Sequence, residues 1–261
     1  MFRWLRERRR AELRKRLFPH EWDDCLRKNL AHYCMLSDPE RMELQAMVQV
    51  LLEEKYWEGC GGLDLTDEIR VTIAAQACLL QLRLPHDYYR NVQSILVYPS
   101  TVVPPEYHPG FFEHTYDPIE ASIPILGQSI AQGPVILVWD AVLHGARHPE
   151  QGHNVVYHEF AHKLDMLDGA ADGTPPLSHD KLIEWVAVCS HEFLRLRHLA
   201  ESGQRTFIDS YGAKDEAEFF AVATEEFFDR PVSLREDAPD LYRVLSEYYR
   251  QDPAGRVDSR F

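Results

Sequence analysis

The chain has 261 residues, 45% of them hydrophobic and 27% charged, enough length and apolar content to bury a core and to exclude disorder as its main state. Its 28 basic residues against 42 acidic ones give a formal net charge of -14. That balance argues against direct nucleic-acid binding, which needs clustered cations to meet phosphate.

The charge is uneven. Met1 to Arg16 carries eight basic side chains against Glu7 and Glu12, so this segment is +6 and the remainder -20. With Phe2, Trp4, Leu5, Leu13 and Leu17 interleaved, residues 1–17 read as a basic helix or arm. Such a segment suits an anionic surface, but long charge runs are more often solvated first helices. The arginines continue where a secretory signal would turn apolar, so no export is expected. Cys25, Cys34, Cys60, Cys78 and Cys189 form no Cys-x-x-Cys pair, and neither a disulfide framework nor a thiolate zinc site is encoded. Val71 to Leu82 and Pro134 to Leu143 fall short of the roughly 20 residues of a membrane span. The expectation is a soluble, cytoplasmic protein without a transmembrane segment.

Glu21 to Lys55 has helical periodicity, interrupted at Ser37-Asp38-Pro39, where a cap and a first-turn proline restart it. Leu44, Met47, Val48 and Leu51 then recur at helical spacing. Thr66, followed by Asp67 and Glu68, starts a helix through Ile69 to Leu82. Between Pro85 and Gly133 short β-branched runs separated by Pro and Gly predict a small sheet, with strands at Ser94 to Tyr98, Ser122 to Leu126 and Val135 to Trp139. Helical patterns return at Asn154 to Leu167, Leu177 to Ala200, Asp215 to Phe228 and Leu234 to Tyr249. No linker or repeat divides the chain, which predicts one α+β domain over residues 18–261, helical over about 18–84 and carrying sheet and site over about 85–261.

The chemistry concentrates in His158-Glu159-Phe160-Ala161-His162. Residues four apart lie one turn apart on the same helix face, so the two imidazoles can reach one tetrahedral cation. Glu159 is rotated about 100° from His158, off the metal but beside its water, where it can act as general base. The flanking Val155, Val156, Phe160, Leu164 and Leu167 give this helix a face to bury. A catalytic zinc needs a third protein ligand and an open position. Glu218 and Glu225, on the apolar helix Asp215 to Phe228, share a face seven residues apart, and spacing does not choose between them. Asp215 and Glu216 are explained as first-turn acids on the helix dipole. The apolar strand Pro134 to Trp139 reads as an interior strand or as an edge for a bound peptide backbone. The remaining histidines read as solvated or packed residues.

The stretches Asn154 to Asp165 and Tyr211 to Phe228, with His-Glu-x-x-His followed at a distance by Ala-Glu-x-Phe-Ala, resemble the zinc metallopeptidase family of Mlc titration factor A, the DgsA anti-repressor. The likeness extends over most of the chain and reaches to the catalytic domain of anthrax lethal factor, where a tyrosine precedes the glutamate ligand by seven residues, as Tyr211 precedes Glu218. The resemblance implies a zincin-like fold with a small mixed sheet on the active-site helix, of gluzincin type, and one zinc ion per chain held by His158, His162 and Glu218. It implies Glu159 as base and Tyr211 as the hydroxyl that stabilises a developing oxyanion. Glu225 is then expected behind a ligand, bonding an imidazole N–H, with Asp165 either in a similar position or on the helix surface. The implied activity is peptide hydrolysis of aminopeptidase type on a peptide or protein substrate. The alternative is an anti-repressor that sequesters the transcriptional repressor Mlc, with or without cleavage.

Overall fold

A computed structural model describes residues 2–85, 87–100 and 133–258. The chain opens with α1 (Phe2–Leu13), α2 (His20–Asn29), a 3₁₀ turn (Ala31–Met35) and α3 (Asp38–Glu54). α3 starts where the cap predicts: the Glu40 carboxylate accepts the Ser37 backbone N–H at 3.1 Å, and Pro39 sits in the first turn, where its missing N–H costs nothing. Arg10 donates to both oxygens of Glu54 at 2.7 Å, and Arg14 donates to both oxygens of Glu43 at 2.8 and 2.7 Å. Part of the basic charge of α1 is therefore turned inward onto α3, with Leu13 buried beside it.

The helix begun by Thr66 is α4 (Asp67–Leu80), whose cap hydroxyl accepts the Ile69 N–H at 3.4 Å. From Ile69 to Leu80 every residue except Arg70 is buried. Such a run suits a central helix, and α4 packs against α2, α3, α5 and α6.

The sheet among the described residues has three strands in the order β1 (Tyr56–Gly59), β2 (Ser94–Tyr98), β3 (Val135–Val138), all parallel. Trp57 pairs with Ile95, and Ile95 with Val135. β1 places a strand inside the stretch read as purely helical. β1 is four residues of mixed polarity directly after α3, too short to show a period of two. The strand expected at Ser122 to Leu126 lies outside the described residues. β3 ends one residue earlier than expected because Trp139 opens α5 (Trp139–Arg147), a helix hidden in sequence by the continuing apolar pattern.

A 3₁₀ turn (Pro149–Gln151) leads into α6 (Val155–Asp165), then α7 (His179–Glu201), a 3₁₀ turn (Ser210–Ala213) and α8 (Glu216–Asp229). The stretch read as one helix from Leu234 to Tyr249 is two, α9 (Pro231–Asp237) and α10 (Pro239–Tyr249). Ala238 leaves the helical region at φ -139° and ψ 71°, as proline at 239 disfavours a helical residue before it. α11 (Pro253–Asp258) follows. The core around α8 is aromatic: Phe227 stacks on Tyr249 at 5.5 Å, and Trp185 meets Phe220 and Tyr248 edge to face. No helix among the described residues is long and apolar enough to cross a membrane.

Candidate metal centre

α6 and α8 cross so that their polar side chains meet inside this apolar packing. Asn154 caps α6, its Oδ1 accepting the backbone N–H groups of Val156 at 3.2 Å and Tyr157 at 3.1 Å. Asp215 caps α8 by accepting the N–H of Glu218 at 2.9 Å. Glu218 thus lies in the first turn, where the helix dipole favours a carboxylate.

The Nε2 atoms of His158 and His162 stand 3.2 Å apart. Glu218 Oε2 is 3.0 Å from the first and 3.3 Å from the second. Among the described residues, these three side chains form the group of His, Cys, Asp or Glu whose donor atoms converge enough to hold a metal ion. Donors around a tetrahedral zinc with Zn–N bonds of about 2.0–2.1 Å sit about 3.3 Å apart, close to this triangle. Two ring nitrogens facing each other can share at most one proton, and the buried Glu218 Oε2 has no polar neighbour recorded beyond these two imidazoles. The donor set therefore fits a divalent cation.

Glu225, two turns along α8, approaches the same imidazole from behind. Its Oε1 is 2.8 Å from His158 Nδ1, and its Oε2 accepts the Asn154 backbone N–H at 2.5 Å. A carboxylate at Nδ1 keeps the proton on that nitrogen and leaves the Nε2 lone pair facing the triangle. Asn154 Nδ2 in turn donates to Gln76 Oε1 of α4 at 2.9 Å. Burial disfavours a charged His158, but the carboxylates of Glu218 and Glu225, one at each ring nitrogen, override it and raise the imidazole to about 10. Burial also works against the Glu218 carboxylate, which the two imidazoles nevertheless hold well below the usual carboxylate range. Without an ion the triangle is a salt-bridged cluster, and a cation entering it displaces a proton.

Glu159 is half-buried one residue beyond His158. The Tyr211 hydroxyl donates to Glu218 Oε1 at 3.4 Å, and its ring centroid is 6.0 Å from that of His158. Asp209 fixes the turn carrying Tyr211 by accepting its backbone N–H at 2.8 Å. Asp165 is fully buried, which removes the helix-surface alternative. Its Oδ2 accepts the Gly173 N–H at 2.9 Å, so the hydrogen bond described for it goes to the loop after α6 and not to an imidazole. Burial raises its carboxyl to about 6.

Sequence reasoning passed over Asn154 as more than a helix start, and over Gln76 and Lys214. Asn154 was legible as a cap before an apolar helix, and Gln76 as a polar residue in an otherwise apolar run. Lys214 Nζ lies 3.3 Å from the Tyr211 hydroxyl and 3.5 Å from Glu218 Oε1. Its place three residues after one and four before the other was the available signal.

A half-buried His/His/Glu triangle between two helices is the kind of site a metallopeptidase carries. Residues 2–250 match the glucose-regulated metallo-peptidase M90 family, and the chain belongs to it. An uncharacterized protein of Synechocystis sp. is 37% identical over 257 residues, covering 96% of this chain and 90% of its own length. Proteins named Mlc titration factor A from Yersinia pestis and Yersinia pseudotuberculosis are 28% identical over 242 residues, covering 91% of this chain and 86% of theirs.

Proposed function

We propose that the protein is a zinc-dependent peptidase with one ion per chain, held by His158, His162 and Glu218. The observation that carries this reading is the donor triangle of 3.0, 3.2 and 3.3 Å, with a buried carboxylate oxygen at one corner. When bound, zinc would supply Lewis acidity, polarising a peptide carbonyl and lowering the pKa of water. Glu159 takes the proton of the attacking water and later delivers it to the leaving amine, without a covalent intermediate. Tyr211 donates a hydrogen bond to the carbonyl oxygen as it gains charge. Glu225 orients the His158 ring, while Asp165 holds the loop at Gly173. The reading takes the substrate as a peptide or protein cleaved in aminopeptidase fashion, in a reducing cytoplasm that suits the five free cysteines.

The name of the Yersinia relatives favours a second capacity, binding of the transcriptional repressor Mlc. Glu159→Gln separates the two. Hydrolysis of amino-acid p-nitroanilides and unblocked peptides should vanish, zinc content should stay near one per chain, and retention of Mlc on immobilised protein should persist. Cleavage that survives Glu159→Gln would show that the base is another residue.

A further inference from the structure

Glu218 faces two clusters at once. Its Oε2 belongs to the metal triangle, while its Oε1 belongs to a second triangle, with the Tyr211 hydroxyl at 3.4 Å and Lys214 Nζ at 3.5 Å. Lys214 Nζ closes that figure by donating to the Tyr211 oxygen at 3.3 Å, and it lies 5.2 Å from the centre of the same ring. The backbone that carries both residues is pinned on either side. Asp209 accepts the Tyr211 N–H at the entry, and Arg197 of α7 donates to the carbonyls of Ala213 and Lys214 at 3.3 Å at the exit. Asp215, the next residue, caps α8 through the Glu218 N–H. One short stretch of chain, from the 3₁₀ turn into the first turn of α8, thus holds all three polar groups.

Donor and acceptor roles in the second triangle follow from the groups themselves. An ammonium has three hydrogens and no lone pair, so the Tyr211 oxygen can only accept from it, and the phenol hydrogen must point elsewhere. In this structure it points at Glu218 Oε1. All three separations lie beyond the usual hydrogen-bond limit of about 3.2 Å, so each bond is weak and exchange among them is easy. We infer that Lys214 is a positioning residue: it fixes Tyr211 as a hydrogen-bond donor and holds Glu218 Oε1 when the Tyr211 hydrogen turns to the oxygen of a substrate carbonyl. Without the ammonium, that turn would leave the carboxylate of a buried residue short of a donor, which disfavours it. The inference rests on the peptidase reading above, in which Tyr211 donates to the carbonyl oxygen. A second effect does not depend on turnover. The Lys214 charge sits beside the carboxylate that a divalent cation would use, and two cations sharing one carboxylate repel each other. Lys214 therefore weakens zinc binding while it assists the hydroxyl.

Lys214→Met keeps the length of the side chain and removes its charge. In the full-length, zinc-loaded protein, kcat on an amino-acid p-nitroanilide or an unblocked peptide should fall about 10- to 100-fold with KM changed by less than about twofold, and Lys214→Arg should recover most of the loss. Chelator competition on Lys214→Met should show zinc bound about twofold or more tighter than in the parent. A lysine that only supported the fold would give the opposite sign. Lys214→Met placed in a Tyr211→Phe background should slow the enzyme no further, because Lys214 acts through the Tyr211 hydroxyl. With a parent that cleaves, an unchanged kcat in Lys214→Met, weaker zinc binding or additive losses in the double variant each overturn the inference. A parent that binds zinc and cleaves no peptide strikes the peptidase reading itself, and the role of Lys214 falls with it.

Discussion

His158 is gripped from both sides by one helix. Glu218 and Glu225 are seven residues apart on α8, and one reaches Nε2 while the other reaches Nδ1 of the same ring. This is the physical reason that sequence spacing could not choose a ligand between them: both carboxylates touch the imidazole, and a sequence does not encode which nitrogen each one meets. His158, Glu159 and His162 were legible because a helix fixes their relation locally. Glu225→Gln keeps size and shape but replaces a charged acceptor with a weaker one. Zinc affinity measured by chelator competition should fall about 10- to 100-fold, with stoichiometry unchanged at saturation. Unchanged affinity would mean that the Nδ1 contact does not tune the site. Asp165 was ambiguous for a related reason, since its partner Gly173 belongs to a loop whose path no helical period announces.

α8 depends on its neighbours for the position of its first turn. Gly173 has φ +74°, and a Cβ built on it would lie 2.2 Å from the carbonyl oxygen of Glu216, two residues before Glu218. Gly173→Ala must therefore both strain the backbone and push the loop away from α8. Urea unfolding should show a loss of at least about 2 kcal/mol, with weaker zinc binding accompanying it. A variant as stable as the parent would show that the loop does not bear on α8. At this scale the sequence disclosed elements that are long and capped, such as α3, α4, α6 and α8, and concealed those that are short or abutting. β1 follows α3 without a turn signal, α5 continues the apolar run of β3, and the break between α9 and α10 rests on one proline.

Across the whole molecule, the N-terminal helices reach the end of α8 through His32. Its Nε2 donates to the carbonyl of Phe228 at 2.8 Å. Burial pushes the imidazole down to about 4, with the Phe228 hydrogen bond opposing the shift and Arg256 adding to it. An unfolded histidine titrates near pH 6.5, so between that value and about 4 the unfolded chain binds a proton that the native state refuses. This contribution is present above pH 6.5 and falls away as the pH is lowered, by about 3 kcal/mol over the full window. Asp165, raised by burial to about 6, acts in the opposite sense, its contribution being lost as pH rises. The clean measurement is therefore a difference. The stability gap between the parent and His32→Asn should shrink by about 3 kcal/mol from pH 7 to pH 4. A gap independent of pH would exclude the neutral buried imidazole.

Asn154 closes the start of α6 with its side-chain oxygen, meets α4 with its side-chain nitrogen and meets α8 with its backbone nitrogen. Aspartate in its place would keep the first bond and set an acceptor against the Gln76 oxygen, while serine would be too short to span the gap. Three helices drawn from distant parts of the chain thus share a single keystone, and neither replacement would keep all of its bonds.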